Sequence, residues 1–173
     1  FEDGCIGDWA EDTAEAIGAL TDGKVVLVGS SMGGWQSLLF ARDHEDRMAG
    51  LVTIAAAPDF TEDGYWASFT DEQKAQLETD AQIKLPSDYM EPYIITKRMI
   101  EDGRKQLVLR GPLNLPFPVR MLQGTADTAV STDRATALLD HATSPDMRLT
   151  LVKDADHRFS DGPCLGMIEA AVL

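Results

Sequence analysis

The pentapeptide Gly29-Ser30-Ser31-Met32-Gly33 has the residue types and spacing of a serine nucleophile on a tight turn. It follows a strand predicted at Lys24 to Val28 and precedes a helix-forming stretch, so the turn is predicted to lead from a strand into a helix. Small residues two positions to either side let the chain pass itself there, and this phase selects Ser31 as the exposed hydroxyl. The alternative is a glycine-rich turn that only packs a helix on a strand.

A serine hydroxyl is a weak nucleophile at neutral pH, so this chemistry also needs a histidine base and a carboxylate that orients it. Asp127 follows a strand predicted at Val119 to Leu122, and His157 follows one predicted at Arg148 to Val152. Alone, the aspartate suits a turn and the histidine a solvated loop. Because all three residues follow predicted strands, the sequence favours a catalytic triad in the order Ser, Asp, His.

Three other aspartates compete for the role of the acid. Asp154 and Asp156 share the loop of His157 and are expected to be supporting or surface residues. Asp59, which follows a strand predicted at Leu51 to Ile54, is the better substitute for Asp127.

The hydrophobic period alternates between helical and extended segments, which predicts an α/β fold with a mostly parallel sheet flanked by helices. A first helix is expected from Ile6 to Leu20, capped by Asp8. Further helices are predicted at Met32 to Arg42, Thr132 to Leu139 and Gly166 to Leu173.

Residues 60 to about 112 mix aromatic and acidic residues and show no clear strand, which predicts a helical cap inserted into a single catalytic domain at 1–173. Several of its large side chains are candidates for the wall of an acyl pocket, and ordinary core packing is the alternative for each of them. With one residue of the nucleophile's helix, the candidates are Trp35, Phe60, Trp66, Met90, Tyr93 and Met99.

Composition excludes several classes of function. A net charge of −14 without a basic stripe argues against a nucleic-acid partner. No apolar run approaches the ~20 residues of a membrane span and no signal peptide opens the chain, so a cytoplasmic location is expected. Cys5 and Cys164 lack metal or redox spacing and the three histidines lie far apart, so neither a metal nor another cofactor is expected. The oligomeric state is left open.

Further motifs carry a resemblance to a known family. Val28 to Trp35, Leu85 to Tyr89, Leu122 to Gly124 with Asp127, and Asp156-His157-Arg158 resemble serine α/β-hydrolases. The branch they resemble includes the mitochondrial palmitoyl-protein thioesterase and acyl-glucuronide esterase and their bacterial relatives. Gly29 lies much closer to the first residue than the nucleophile turn does in that family. We therefore expect an incomplete amino-terminal part, which would include the loop that supplies the second oxyanion donor.

The predicted reaction is hydrolysis of a small-molecule or protein-linked acyl ester or thioester. Ser31 would attack the carbonyl, His157 would move the proton, Asp127 would orient the imidazole, and the Met32 N–H would donate to the oxyanion. A serine peptidase and a non-catalytic ligand-binding module on the same scaffold are the alternatives. No feature of the sequence recognises a peptide terminus, and an intact set of three residues argues against the binding module.

Overall fold

The computed structural model describes residues 2–86 and 92–172. The strands are β1 (Val25–Ser30), β2 (Met48–Ile54), β3 (Gln82–Leu85), β4 (Tyr93–Thr96), β5 (Val119–Gly124) and β6 (Met147–Val152). The α-helices are α1 (Ile6–Leu20), α2 (Met32–Asp43), α3 (Asp71–Asp80), α4 (Lys97–Gly103), α5 (Thr132–His141) and α6 (Gly162–Val172). A 3₁₀ turn spans Glu45–Arg47 and a π-helix spans Phe60–Trp66.

The chain forms two compact units. Phe1–Asp12 and Asp59–Leu107 make up the first, called here the small unit. Thr13–Pro58 and Val108–Leu173 make up the second, the sheet unit.

A parallel sheet in the order β1-β2-β5-β6 is the centre of the sheet unit. Helix α2 packs against β1 and β2, α5 against β5 and β6, and α6 against β2. The inner strands β2 and β5 are almost wholly buried, whereas β1 and β6 are partly exposed. The predicted parallel sheet flanked by helices is confirmed.

The register of the sheet aligns the carboxyl ends of its strands. Ser30 pairs with Ile54, and Ile54 pairs with Leu122. Gly124 in turn pairs with Val152, the last residue of β6. The segments that follow β1, β5 and β6 therefore leave the sheet at the same edge.

A hydrophobic cluster supports this edge. Its buried members come from β2 and the residue after it, from β5, from α6 and from the loop between β6 and α6, and they are Val52, Ile54, Ala55, Leu122, Ala155, Phe159 and Cys164. Ala155 and Phe159 lie on either side of His157 in the sequence. The loop that carries the histidine is thus anchored in the core both before and after it.

The small unit has a separate core and a hairpin that the sequence did not predict. Strands β3 and β4 are antiparallel, with Ile83 opposite Ile95. Both isoleucines are buried with Phe69, Leu77, Met99 and Ile100. Each strand has only four residues, and the polar Gln82 and Lys84 alternate with the apolar ones, so the hydrophobic pattern is too short to be read.

The cap of α1 and the start of α6 also differ from the prediction. Asp8 is the third residue of α1 rather than its N-cap, and its Oδ2 accepts a hydrogen bond of 3.1 Å from the Cys5 N–H. It still serves the start of the helix, because it satisfies a donor at the amino end. Helix α6 starts at Gly162, four residues before the predicted Gly166, because Pro163 is compatible with the first turn of a helix.

Candidate active site

Ser31 lies at the turn between β1 and α2 with φ 53° and ψ −121°, a conformation that non-glycine residues rarely adopt. Such backbone costs about 1–3 kcal/mol and persists only where its surroundings hold it. The Ser31 N–H donates to the Ile54 carbonyl at 2.9 Å. The Ser31 carbonyl accepts from the N–H groups of Gly34 and Ala57, at 3.0 and 3.1 Å. The strained residue is therefore fixed from both sides.

The glycines around Ser31 have different reasons to be small. A Cβ on Gly29 would lie 2.5 Å from Ser37 Oγ and closer still to the Gly33 carbonyl oxygen. A Cβ on Gly34 would lie 2.6 Å from the Cβ of Ala56. A Cβ on Gly33 would meet no atom of the described residues within 4 Å. The expectation that both motif glycines are needed for close approach is therefore wrong for Gly33, and Gly34 has that role.

The loop after β5 holds the side chain of Asp127. Its Oδ1 accepts from the N–H groups of Ala129 and Val130, both at 2.8 Å. Its Oδ2 accepts from Gln123 Nε2 at 3.0 Å. Three donors therefore fix the carboxylate before His157 is considered.

The loops after β5 and β6 are joined to each other by hydrogen bonds. The Ala126 N–H donates to the Ala155 carbonyl at 3.0 Å, and the Asp154 N–H donates to Thr125 Oγ1 at 2.9 Å. A Cβ on Gly124 would collide with the Ala155 carbonyl oxygen, so this glycine permits the close approach. The separation of Asp127 and His157 is thus set by the pairing of their loops.

Ser31, His157 and Asp127 form one hydrogen-bonded chain. His157 Nδ1 lies 2.9 Å from Asp127 Oδ2, and His157 Nε2 lies 3.1 Å from Ser31 Oγ. An ionised carboxylate only accepts hydrogen bonds, so Nδ1 must carry the proton in the neutral imidazole. Nε2 is then left to accept the proton of the serine hydroxyl.

The surroundings of Asp127 keep it ionised. Burial raises the pKa of its carboxyl, but the hydrogen bonds from Val130, His157, Ala129 and Gln123 outweigh that effect, and the pKa lies below its ordinary value. The Asp127 side chain is 0% exposed, whereas that of His157 is 32% exposed. The acid is thus shielded from water, while the base is accessible from the rim of the sheet.

The competing aspartates have other partners. Asp156 Oδ1 accepts from the N–H groups of Arg158 and Phe159 and so closes the turn that contains His157. Asp154 is exposed, and its N–H donates to Thr125 Oγ1 in the loop that carries Asp127. Asp59 is buried in a left-handed conformation at the start of the π-helix. Among the described residues, Asp127 is the carboxylate that bonds to His157.

Met32 is the first residue of α2. The first N–H groups of a helix have no acceptor within it, and they point out of its positive end. The Met32 N–H is therefore available to a negatively charged oxygen next to Ser31, while its assignment as an oxyanion donor stays a prediction.

Among the predicted pocket residues, Trp35 belongs to the sheet unit, and Phe60, Trp66, Tyr93 and Met99 belong to the small unit. Trp35 is fully buried in α2, and Met99 belongs to the core of the small unit. Trp66 has the guanidinium of Arg104 4.5 Å from its ring centre and Lys74 Nζ at 5.4 Å.

The remaining pocket candidates are Phe60, Tyr93 and Met90. Phe60 packs edge-on against Tyr65, Tyr93 is 40% exposed, and Met90 lies outside the described residues. Met99 and Trp66 have the contacts of ordinary packing, and the role of all six residues in a pocket stays a prediction.

Other potential sites lie away from these residues or are absent from the described part of the chain. An open groove of about 440 Å³ is lined by Lys24, Glu45, Asp46 and Phe117, among others, at the amino ends of the strands. It lies at the opposite edge of the sheet from Ser31. Within residues 2–86 and 92–172, no group of three His, Cys, Asp or Glu side chains could hold a metal ion.

The chain belongs to the alpha/beta hydrolase fold family, whose sequence model matches residues 2–92. A parallel sheet with the segments after β1, β5 and β6 at one edge agrees with this assignment. The family predicted from the motifs around Ser31, Asp127 and His157 is thereby confirmed.

The similar proteins include the predicted branch. The chain is 32% identical over 158 residues to the mouse mitochondrial palmitoyl-protein thioesterase ABHD10. This alignment covers 90% of this chain and 53% of that protein. The structure of mouse ABHD10 superimposes with a TM-score of 0.88 at 26% identity, covering 98% of this chain and 68% of that one. A putative hydrolase from Agrobacterium vitis S4 gives a TM-score of 0.91 at 35% identity, covering 100% of this chain and 70% of that one.

The chain spans about half the length of the curated relatives it matches. The mitochondrial location belongs to the names of those relatives. No helix in the described ranges is long and apolar enough to cross a membrane. The cytoplasmic location stays a prediction.

Proposed function

We propose that this protein hydrolyses acyl esters or thioesters through a catalytic triad of Ser31, His157 and Asp127. The observation that supports the proposal best is the hydrogen-bonded chain from Ser31 Oγ to His157 Nε2 and from His157 Nδ1 to Asp127 Oδ2, at 3.1 and 2.9 Å. The similarity to a palmitoyl-protein thioesterase supports the choice of acyl substrates.

In the first half of the reaction, Ser31 Oγ attacks the carbonyl carbon of the substrate while His157 Nε2 takes the hydroxyl proton. The carbonyl π electrons move to the oxygen, and the Met32 N–H donates to the oxyanion. The imidazolium is stabilised by Asp127. When the tetrahedral intermediate collapses, His157 returns the proton to the leaving alcohol or thiol, and the acyl group stays on Ser31.

In the second half, water repeats the same steps on the acyl-enzyme. His157 Nε2 takes a proton from the water as its oxygen attacks the acyl carbon, and the bond to Ser31 Oγ then breaks. Ser31 recovers its proton from the imidazolium, and the carboxylic acid leaves. No step requires a metal or an organic cofactor.

Active-site labelling of the full-length protein tests the triad. A fluorophosphonate probe should form a covalent bond with Ser31, because it reacts with serines that are activated by a base. The variant Ser31→Ala should neither be labelled nor hydrolyse p-nitrophenyl esters, and Ser30→Ala should be the matched control that retains both properties. Absence of labelling in folded protein would favour the non-catalytic binding module.

A chain-length series tests the substrate class. We expect p-nitrophenyl esters and acyl thioesters with medium or long chains to be hydrolysed with a higher kcat/KM than the acetates. The reason for this expectation is the similarity to a palmitoyl-protein thioesterase. Preference for acetate alone would contradict the long-acyl assignment and leave the triad intact.

A further inference from the structure

Gln123 is a buried polar residue near the carboxyl end of β5, where it follows the buried Met121 and Leu122. It is 1% exposed. Its Nε2 lies 3.0 Å from Asp127 Oδ2, 3.0 Å from the Val130 carbonyl oxygen and 3.2 Å from the Gly124 carbonyl oxygen. A glutamine buried at this position requires an explanation, because an apolar residue would suit the strand better.

The orientation of the Gln123 amide follows from these neighbours. Nε2 is surrounded by a carboxylate and two carbonyl groups, all of which accept hydrogen bonds only. Rotating the amide by half a turn would place Oε1 against three oxygen atoms. In the observed orientation, Oε1 is buried and has no hydrogen-bond partner within the described ranges. The site therefore keeps the donor in place at the expense of the acceptor.

The bonds of Gln123 brace the loop that carries Asp127. Gln123 donates to the carbonyl of Val130, and the N–H of Val130 donates to Asp127 Oδ1. Gln123 also donates to Oδ2, the oxygen that lies 2.9 Å from His157 Nδ1. The backbone thus fixes one carboxylate oxygen, and Gln123 fixes the other.

We propose that Gln123 is a positioning residue that orients the Asp127 carboxylate toward His157. The inference rests on the proposed function, because it assigns a role within the same triad. Without the Gln123 donor, the carboxylate plane is free to turn about the bonds to Ala129 and Val130. The Oδ2–Nδ1 hydrogen bond then loses its alignment, and the imidazole loses its fixed orientation toward Ser31.

Replacement of the donor by an isosteric apolar side chain tests the proposal. Gln123→Met should lower kcat about 10- to 100-fold with little change in KM, because misplaced catalytic groups slow the chemical step rather than binding. Val119→Ala is the matched control, since it truncates a buried residue at the other end of β5. It should lower the melting temperature without changing the kcat of the folded protein.

A second variant separates hydrogen-bond donation from packing. In Gln123→Glu, the introduced carboxyl is buried beside Asp127, so its pKa is raised. Its protonated form can donate a hydrogen bond to Asp127, whereas its ionised form repels the Asp127 carboxylate. The activity of this variant relative to Gln123→Met should therefore rise as the pH falls from 8 to 6. A structural role alone would give the same pH profile for both variants.

The outcomes are distinguishable from failure of the triad itself. Wild-type turnover that Ser31→Ala does not abolish would refute the proposed function. Turnover that depends on Ser31, with an unchanged kcat in Gln123→Met, would refute only the positioning role. If Gln123→Met does not fold, the activity of Gln123→Glu is divided by that of the wild type at each pH. A ratio that rises toward low pH supports hydrogen-bond donation by residue 123. A ratio that is constant with pH overturns the positioning role.

Discussion

Replacing Asp127 by asparagine should leave the triad in place but give the imidazole the wrong tautomer. The asparagine oxygen would keep the two bonds of 2.8 Å from the N–H groups of Ala129 and Val130. Its NH₂ group would then face His157 and Gln123. His157 Nδ1 would have to accept a hydrogen bond, so Nε2 would carry the proton and could not take one from Ser31.

The size of the effect follows from counting the mismatched groups. With the asparagine oxygen toward the backbone, one donor lacks an acceptor, because the asparagine NH₂ faces the NH₂ of Gln123. With the asparagine amide reversed, two donors lack an acceptor, because its NH₂ faces the N–H groups of Ala129 and Val130. Each buried donor without an acceptor costs about 1–3 kcal/mol, so the productive tautomer lies higher by roughly that amount. Loss of the negative charge beside the imidazolium adds to this, and the total should be on the order of 10⁴ in kcat.

The assay is p-nitrophenyl ester hydrolysis by the full-length protein at saturating substrate. Asp156→Asn is the matched control, because Asp156 bonds the N–H groups of Arg158 and Phe159, which an asparagine oxygen can also accept. This control should retain nearly the kcat of the wild type. If Asp127→Asn retained about a tenth or more of the wild-type kcat, the assignment of Asp127 as the acid of the triad would be refuted.

Three further predictions follow from the packing and from the pKa shifts. Gly29→Ala should lower the free energy of unfolding in urea by about 1–3 kcal/mol or more, because its Cβ meets the backbone of the same turn, whereas Gly33→Ala should change it by no more than about 1 kcal/mol. Equal losses in the two variants would contradict this packing. The lowered pKa of Asp127 means that its ionised form stabilises the fold at pH values above about 4, and that this stabilisation is lost as the pH falls through the lowered value. The melting temperature of the wild type should therefore exceed that of Asp127→Asn at pH 7 and approach it below about pH 4, and a gap that widens on acidification would exclude this linkage. Burial raises the pKa of Cys164 to about 11, so its alkylation by iodoacetamide at pH 8 should be on the order of 100-fold slower in native than in unfolded protein. Equal rates would show that the thiol is accessible.

The sequence predicted the sheet because its strands contain short runs of apolar and β-branched residues bounded by turn residues. The runs at Val25 to Val28 and Leu51 to Ile54 have no competing periodicity. The turn at Ser31 was equally readable, since its glycine and serine spacing follows from backbone geometry. In contrast, the hairpin of β3 and β4 depends on contacts between Ile83 and Ile95, which no local pattern reveals.

Other features required the folded chain. That Gly34 rather than Gly33 makes the close approach depends on Ala56, a residue from the next strand connection. The role of Gln123 depends on the path of the loop from Asp127 to Val130. A glutamine between Leu122 and Gly124, near the carboxyl end of a strand, was the available signal for a buried polar contact.

The pairing of the loops after β5 and β6 has a consequence for the energetics of turnover. Thr125, Ala126, Asp154 and Ala155 connect these loops through hydrogen bonds that do not involve substrate. In the proposed reaction, the dipoles around the acid and the base are therefore ordered during folding, and little reorganisation energy is required when charge develops on the imidazole. A mutation that loosens this pairing should raise the activation free energy of each catalytic cycle, even where it leaves the amount of folded protein unchanged.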